Sequence, residues 1–242
     1  MKLNCDLGES YGAWSMPLDS TIMAQIDQAN IACGYHAGDP LVMKQALALA
    51  KAHNVEVGAH PSYPDLQGFG RRSMSIPADE LTAMIQYQVS ALQGMALLSG
   101  TNVTYVKPHG ALYNDMMKSI DIMLVVMNSI RAMGEPSLAL MIQATSQNEQ
   151  YQAMAEEVNV PLYFEAFADR RYTDDGLLQS RAIDGAVLSE SQALEQAKQL
   201  IEEGTVTTAT GKSLTITAHS LCVHGDTQGA VDIAKRIKRL IR

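Results

Sequence analysis

A β-type run, VTYV at Val103–Val106, stops at Lys107, Pro108 and His109 and turns on Gly110. Lysine and histidine are costly to bury unless paired, and proline ends a strand by removing a ladder donor. The run therefore closes on two groups able to carry charge and protons. Other runs close the same way. NCDLGE supplies Asp6 and Glu9, ACGYHAGD supplies His36 and Asp39, and VGAHPSYPD supplies His60 and Asp65. FEAFADRR supplies Glu165, Asp169, Arg170 and Arg171, and LCVHGD supplies His224 and Asp226. One such histidine is ordinarily structural, and a single acid such as Glu165 or Asp169 can cap a helix or pair with Arg170. Six strand ends bearing acids, histidines and a lysine point instead to one shared site for acid–base and anion chemistry.

The elements that would position these residues recur in order. Strand-like runs begin near Met1, Gln28, Val55, Val103, Leu138, Pro161 and Thr215. Helical patterns cover Leu41 to His53, Pro77 to Ser99, Ile120 to Met133, Ser146 to Val158, Ser189 to Glu203 and Thr227 to Ile241. Alternation of β and α elements implies parallel strands with helical crossovers. About seven such units fit a closed or slightly open barrel, or a doubly wound sheet. In both, ligands bind at the carboxyl ends of the strands, where the polar residues lie. Five of the six histidines fall in or beside such ends, and His53 ends a helix. VTTATGKSLTIT reads as an added hairpin, since TGK is turn chemistry.

The chain has 242 residues, 47% of them hydrophobic, enough for a large core. Its net charge of -8 argues against nucleic-acid binding, which needs a basic face. Cys5, Cys33 and Cys222 form no CxxC pair and read as small buried residues in a reducing cytoplasm. The start, MKLNCDLGES, lacks an apolar signal region, and no apolar run is long enough for a bilayer. The basic amphipathic end, AKRIKRLIR, complements a helix dipole more simply than it binds a membrane surface.

Three further motifs carry weaker signals. GESYG matches G-x-S-x-G, but the following AWSMPLDS opens no clear helix, against a Ser10 nucleophile. GKS fails as a phosphate loop because Val206 stands where the first glycine belongs. GFGRR places Arg71 and Arg72 on a flexible loop as forked anion donors, with a solvated surface loop as the alternative. An acid and two histidines from different strand ends could also hold a divalent metal, and Asp6, His60 and His109 are the candidates.

LNCDLGESYG, ANIACGYHAGDP, GAHPSYPDLQGFGRR, VKPHGALYN, EAFADRRYTDDGLLQSR and CVHGD occur in order from Leu3 to Asp226. With these stretches the chain resembles the LamB/YcsF family, understood as the A subunit of bacterial ATP-dependent 5-oxoprolinase. Ser10 and Ser62 stand where glycine is common in the family, and Tyr35 where phenylalanine is common. A catalytic serine could not be exchanged for glycine, which counts further against Ser10.

The resemblance implies a seven-stranded parallel β/α barrel of the glycoside hydrolase/deacetylase type, one domain over residues 1–242. It implies opening of the 5-oxo-L-proline lactam to L-glutamate, with ATP as co-substrate of a cytoplasmic complex with subunits B and C. On this reading, catalysis is expected from Asp6, Glu9, His36, His60, Lys107, His109, Glu165, Asp169, His224 and Asp226. Substrate binding is expected from Asn4, Arg71, Arg72, Asn114 and Arg170. An acid such as Asp6 or Glu9 would be the base, His60 and His109 would pass protons, and Lys107 would neutralise anionic charge. Two rival readings stand beside it: a stand-alone metal-dependent deacetylase or amidase, and a non-catalytic barrel subunit that only binds 5-oxoproline or scaffolds its partners.

Overall fold

The computed structural model describes residues 1–16, 19–134, 138–225 and 229–241. Its seven parallel strands are β1 Lys2–Leu7, β2 Gln28–Ala32, β3 Glu56–His60, β4 Val103–Val106, β5 Ala139–Gln143, β6 Leu162–Phe167 and β9 Ser220–Cys222. They close into a barrel in that order, β9 pairing with both β6 and β1. The barrel is therefore the arrangement adopted, rather than the doubly wound sheet. Between β6 and β9 lie β7 Thr205–Thr207 and β8 Ser213–Thr215, the antiparallel hairpin that the turn chemistry predicts.

The helices are α1 Asp19–Ile22, α2 Pro40–His53, α3 Ala78–Ser99, α4 Gly110–Lys118, α5 Ile120–Arg131, α6 Asn148–Glu157, α7 Glu190–Glu202 and α8 Ala230–Ile241. Local signals set many of their ends. Asp39 caps α2 by accepting from the backbone N–H of Leu41 and Val42, and Pro40 opens its first turn. Asn54 ends α2 in the left-handed region. Ser189 and Gln192 form a capping box on α7.

Two expectations are corrected. The last barrel strand begins at Ser220 and not near Thr215, where the hairpin strand β8 ends. His219 therefore precedes a strand, and its Nδ1 accepts from the Phe164 N–H at 3.0 Å. Helix α4 is absent from the sequence reading. It opens straight after His109 with no side-chain cap, and is held by the buried Leu112, Tyr113, Met116 and Met117. Tertiary packing supplies what local propensity lacks.

Strand alternation sorts the core. Leu3, Cys5 and Leu7 of β1 join the apolar cluster, while Asn4 and Asp6 enter a polar network inside the barrel. Asn30 donates to Asn4 Oδ1 at 2.9 Å and to Asp6 Oδ1 at 2.7 Å, and Tyr105 donates to Asn30 at 2.6 Å. Asn4 donates to Glu165 and to Ser220, and Ser220 donates to Gln28. β1 thus turns an apolar edge to its helices and a polar one inward, while Ala139 and Met141 of β5 form a small apolar cluster with Tyr105. Gly58 leaves room for the Tyr105 ring, into which a Cβ would project. Among the described residues no helix is long and apolar enough to cross a membrane. The apolar face of α8 is spent on the body of the protein, with Ala230, Ile233, Ala234 and Ile237 buried.

Candidate active site

A cavity of about 390 Å³ opens at the carboxyl ends of the strands. Asp6, His60, Lys107, His109 and His224 lie along it, each from a strand end or the residues just after it. Proline and the strand end fix Lys107, which is only 3% exposed. Its Nζ lies 3.1 Å from Asp6 Oδ1, 3.0 Å from Glu165 Oε2 and 3.3 Å from Cys222 Sγ. Burial pushes the Lys107 ammonium down, but Asp6, Cys222 and Glu165 outweigh it and hold its pKa well above the usual value. Burial also holds the Cys222 thiol far up. The sulfur is thus neutral, and the carboxylates carry the effect. Burial pushes Asp6 up, yet His60 and Lys107 hold its carboxyl well below the usual range. The floor is a buried ion pair, charged at neutral pH.

The histidines form a stack and a crosspiece. His36 and His109 lie face to face, centroids 3.7 Å apart and planes 2° from parallel. His60 meets His109 edge-on. Glu9 Oε1 lies 3.2 Å from His36 Nε2 and 3.5 Å from His109 Nδ1. Burial and neighbouring histidines hold His36 and His109 well below the ordinary value, so both rings are neutral at pH 7. Gly70 makes the stack possible: a Cβ there would lie 2.8 Å from the His109 ring and 2.9 Å from His36 Cβ.

Asp169 holds the third strand-end group. It accepts from His224 Nδ1 at 2.9 Å and from the His224 backbone N–H at 3.0 Å. That leaves His224 Nε2 for the cavity. The mouth is basic, with Arg71, Lys118, Arg170 and Arg181 among its lining residues in a chain of net charge -8. The geometry can hold an anion above a lysine, a carboxylate and an oriented imidazole.

Of the expected site residues, Asp6, His60, Lys107, His109, His224, Arg71, Asn114 and Arg170 line the cavity. Glu9, His36, Glu165 and Asp169 stand behind them as buried partners. Asn4 does not reach the cavity wall; it is fully buried and holds Glu165 and Lys107. Arg72 is turned away as well, its guanidinium engaged by Asp65. Asp39 is a helix cap. Asp226 lies outside the described residues. The expected metal set is regrouped: His60 and His109 fall with Glu9 and His36, and Asp6 with Cys222 and His224. The second group suits a cation poorly, because the Lys107 ammonium already occupies Asp6 and Cys222.

The sequence reading missed Tyr113, Gln143, Phe167, Lys118 and Arg181. Gln143 ends β5, a strand that closes without an acid, histidine or lysine, and donates to Gly176 O at 2.8 Å. Arg181 lies in the segment from 168 to 189, which holds no helix or strand of the barrel. A loop of that length is itself a functional signal. Tyr113 gave no such signal; burial and the neighbouring Glu165 carboxylate hold its hydroxyl pKa well above the usual value.

Residues 1–242 match the LamB/YcsF family. The A subunit of a 5-oxoprolinase from Vibrio campbellii is 50% identical over 240 residues, 99% of this chain and 94% of that protein. A second such relative, the A 2 subunit of 5-oxoprolinase from Pseudomonas putida, is 48% identical over 240 residues, 99% and 93% of the two chains. The crystal structure of a lactam utilization protein from Thermus thermophilus superposes with a TM-score of 0.89 at 34% identity, covering 100% of this chain and 95% of that one. The barrel, its ordered strand-end motifs and these likenesses agree, and the chain belongs to the LamB/YcsF family.

Proposed function

We propose that this chain is the A subunit of an ATP-dependent 5-oxoprolinase and opens the phosphate-activated lactam of 5-oxo-L-proline to L-glutamate. The relatives' names support the subunit role. The observation that carries the chemistry is the buried Lys107, held between Asp6 and Glu165 beneath a basic mouth. A lactam is a resonance-stabilised amide, and phosphate on its oxygen makes the ring carbon electrophilic. The mouth arginines hold the carboxylate and phosphate. Lys107 stabilises negative charge on the oxygen at the reacting carbon. Asp6 takes a proton from water as the new C–O bond forms. The C–N bond then breaks as a doubly protonated His224 passes its Nε2 proton to the ring nitrogen, leaving an acyl phosphate, and a second water cleaves that to L-glutamate and free phosphate. Partner subunits B and C supply the phosphate from ATP, and the complex works in the cytoplasm.

The test is glutamate release from 5-oxo-L-proline and ATP by this chain alone, by the two partners alone, and by all three. Release by the full mixture only is the expected result. Release without this chain would remove it from the reaction. Hydrolysis of some other amide or acetyl substrate by this chain alone, without ATP, would establish the deacetylase or amidase reading instead.

A further inference from the structure

The histidines at the cavity floor are fixed in a way that ordinary hydrogen bonding does not complete. His60 Nδ1 faces the backbone carbonyl of Lys107 at 2.6 Å, and His109 Nε2 faces that of Phe69 at 2.9 Å. A carbonyl only accepts, so both nitrogens carry hydrogens. In neutral rings the remaining nitrogens, His60 Nε2 and His109 Nδ1, are then lone pairs. They face each other at 3.0 Å. Glu9 Oε1 lies 3.5 Å from His109 Nδ1, and Asp6 Oδ2 lies 3.4 Å from His60 Nε2. Of these residues, Glu9, His60 and His109 bring ligand atoms within 4.8 Å of one another, and none of the three is more than 6% exposed. Such a cluster is repulsive unless a proton or a metal cation joins it.

We propose that His60 Nε2, His109 Nδ1 and Glu9 Oε1 hold one divalent transition-metal ion. Ligand atoms 3.0 to 3.5 Å apart match neighbours in a shell with bonds near ~2.1 Å. Two imidazoles with a carboxylate suit zinc, cobalt, manganese or iron. The bond from each ring's other nitrogen to a carbonyl is the outer contact that ligating histidines make. His60, His109 and Asp6 line the cavity, so the ion keeps an open side toward a ligand.

His36 belongs to the same cluster by distance, yet it is not a ligand. Its ring lies parallel to that of His109 at 3.7 Å. Lone pairs in the planes of parallel rings run side by side and do not meet on one ion. The Ser62 hydroxyl donates to the Tyr63 carbonyl at 2.8 Å and accepts from His36 Nδ1–H at 3.1 Å, and His36 Nε2 lies 3.2 Å from Glu9 Oε1. His36 is a positioning residue that packs on His109 beside Glu9.

The experiment uses the full chain, stripped with chelator and titrated with Zn²⁺ and with Co²⁺ by calorimetry and visible absorption. One ion per chain is expected, with a metal-dependent rise in Tm. His60→Ala and His109→Ala should each lose at least about a hundredfold in affinity. His36→Phe keeps the stack and should lose on the order of tenfold. Melting of each variant in chelator, compared with the chelated wild type, separates a lost ligand from a lost fold. Should an alanine variant fail to fold, the isosteric Glu9→Gln is expected to lose at least about tenfold. No binding at millimolar metal, or binding indifferent to His109→Ala, would overturn the site. A loss in His36→Phe equal to that in His109→Ala would overturn the ligand set. The readout needs no substrate, so a chain that binds the ion and opens no lactam would keep this site and lose the function proposed above.

Discussion

Lys107 is only 3% exposed, and its charge is balanced by the Asp6 and Glu165 carboxylates. Replacing one member of a buried ion pair strands the others. Lys107→Met should therefore destabilise the protein by about 3–5 kcal/mol in urea unfolding, besides removing activity. A loss below about 1 kcal/mol would mean that the pair is solvated. His224 depends on Asp169 in a different way, for orientation rather than charge balance. Asp169→Asn should lower kcat by about a hundredfold with KM nearly unchanged, the size of a lost proton-transfer group. A rise in KM without a fall in kcat would make His224 a binding residue only. Lys107, His109, His60, Asp6 and His224 were legible as site residues because each follows a β-type run and is expensive to bury. Tyr113 was not, since a tyrosine on a helix looks the same whether it fills a core or faces a ligand.

At the scale of elements, strand register and loop length decide what the site can be. Gly58 on β3 lies against Tyr105 on β4, whose hydroxyl ties into the barrel interior through Asn30. Gly58→Ala would drive a methyl into that ring and should cost about 1–3 kcal/mol, the range for overpacking. An unchanged Tm would show that the strands can shift apart. The segment from 168 to 189 forms one wall of the cavity, held by Gln143 to Gly176 and by Arg170 to the Gln179 carbonyl at 2.7 Å. Arg181 rides on it. If the mouth binds an anion, Arg181→Ala should raise KM about tenfold and leave kcat within a factor of about two, as a charge-assisted hydrogen bond is worth roughly 1.5–3 kcal/mol. Equal losses in both parameters would place Arg181 at the reacting atoms instead. Helix α4 belongs to this scale too. It was missed because its stability comes from four buried side chains packed on the body, and no end signal announces it.

For the whole molecule, the buried pair sets the pH range of stability. Asp6 is held below its ordinary value of 3.8 in the folded state. Its contribution is present above that value and is lost as pH falls through the folded pKa. Lys107 is raised above 10.5. Its contribution is full below that value and is lost as pH rises through the folded pKa. Measured in chelator, Tm should start to fall as pH drops through about 6.5, where His36 and His109 take up protons only in the unfolded chain, and fall further below about pH 4, with a shallower fall below about pH 4 in Asp6→Asn. An Asp6→Asn curve that matches the wild type would show that other carboxylates control acid unfolding. The acidic surface and basic mouth also belong to this scale: a net charge of -8 gives no hint of where the cations gather, because charge is summed over the chain and the cavity is not.

The sequence by itself determined the alternation of strands and helices, the added hairpin, most helix ends and the strand-end location of the site. These follow from local physics: side-chain periodicity, capping groups and the cost of burying polar residues. Closure was left open by the β/α pattern, because β9 must pair with β6 and β1 across the whole chain. Tertiary structure alone decided that Arg71 faces the cavity while Arg72 turns to Asp65, and that Asn4 braces Lys107 instead of meeting a ligand. It alone stacked His36 on His109 and fixed which ring nitrogens point at each other. Those outcomes depend on distances of a few ångströms between residues far apart in the chain, which spacing along a sequence does not encode.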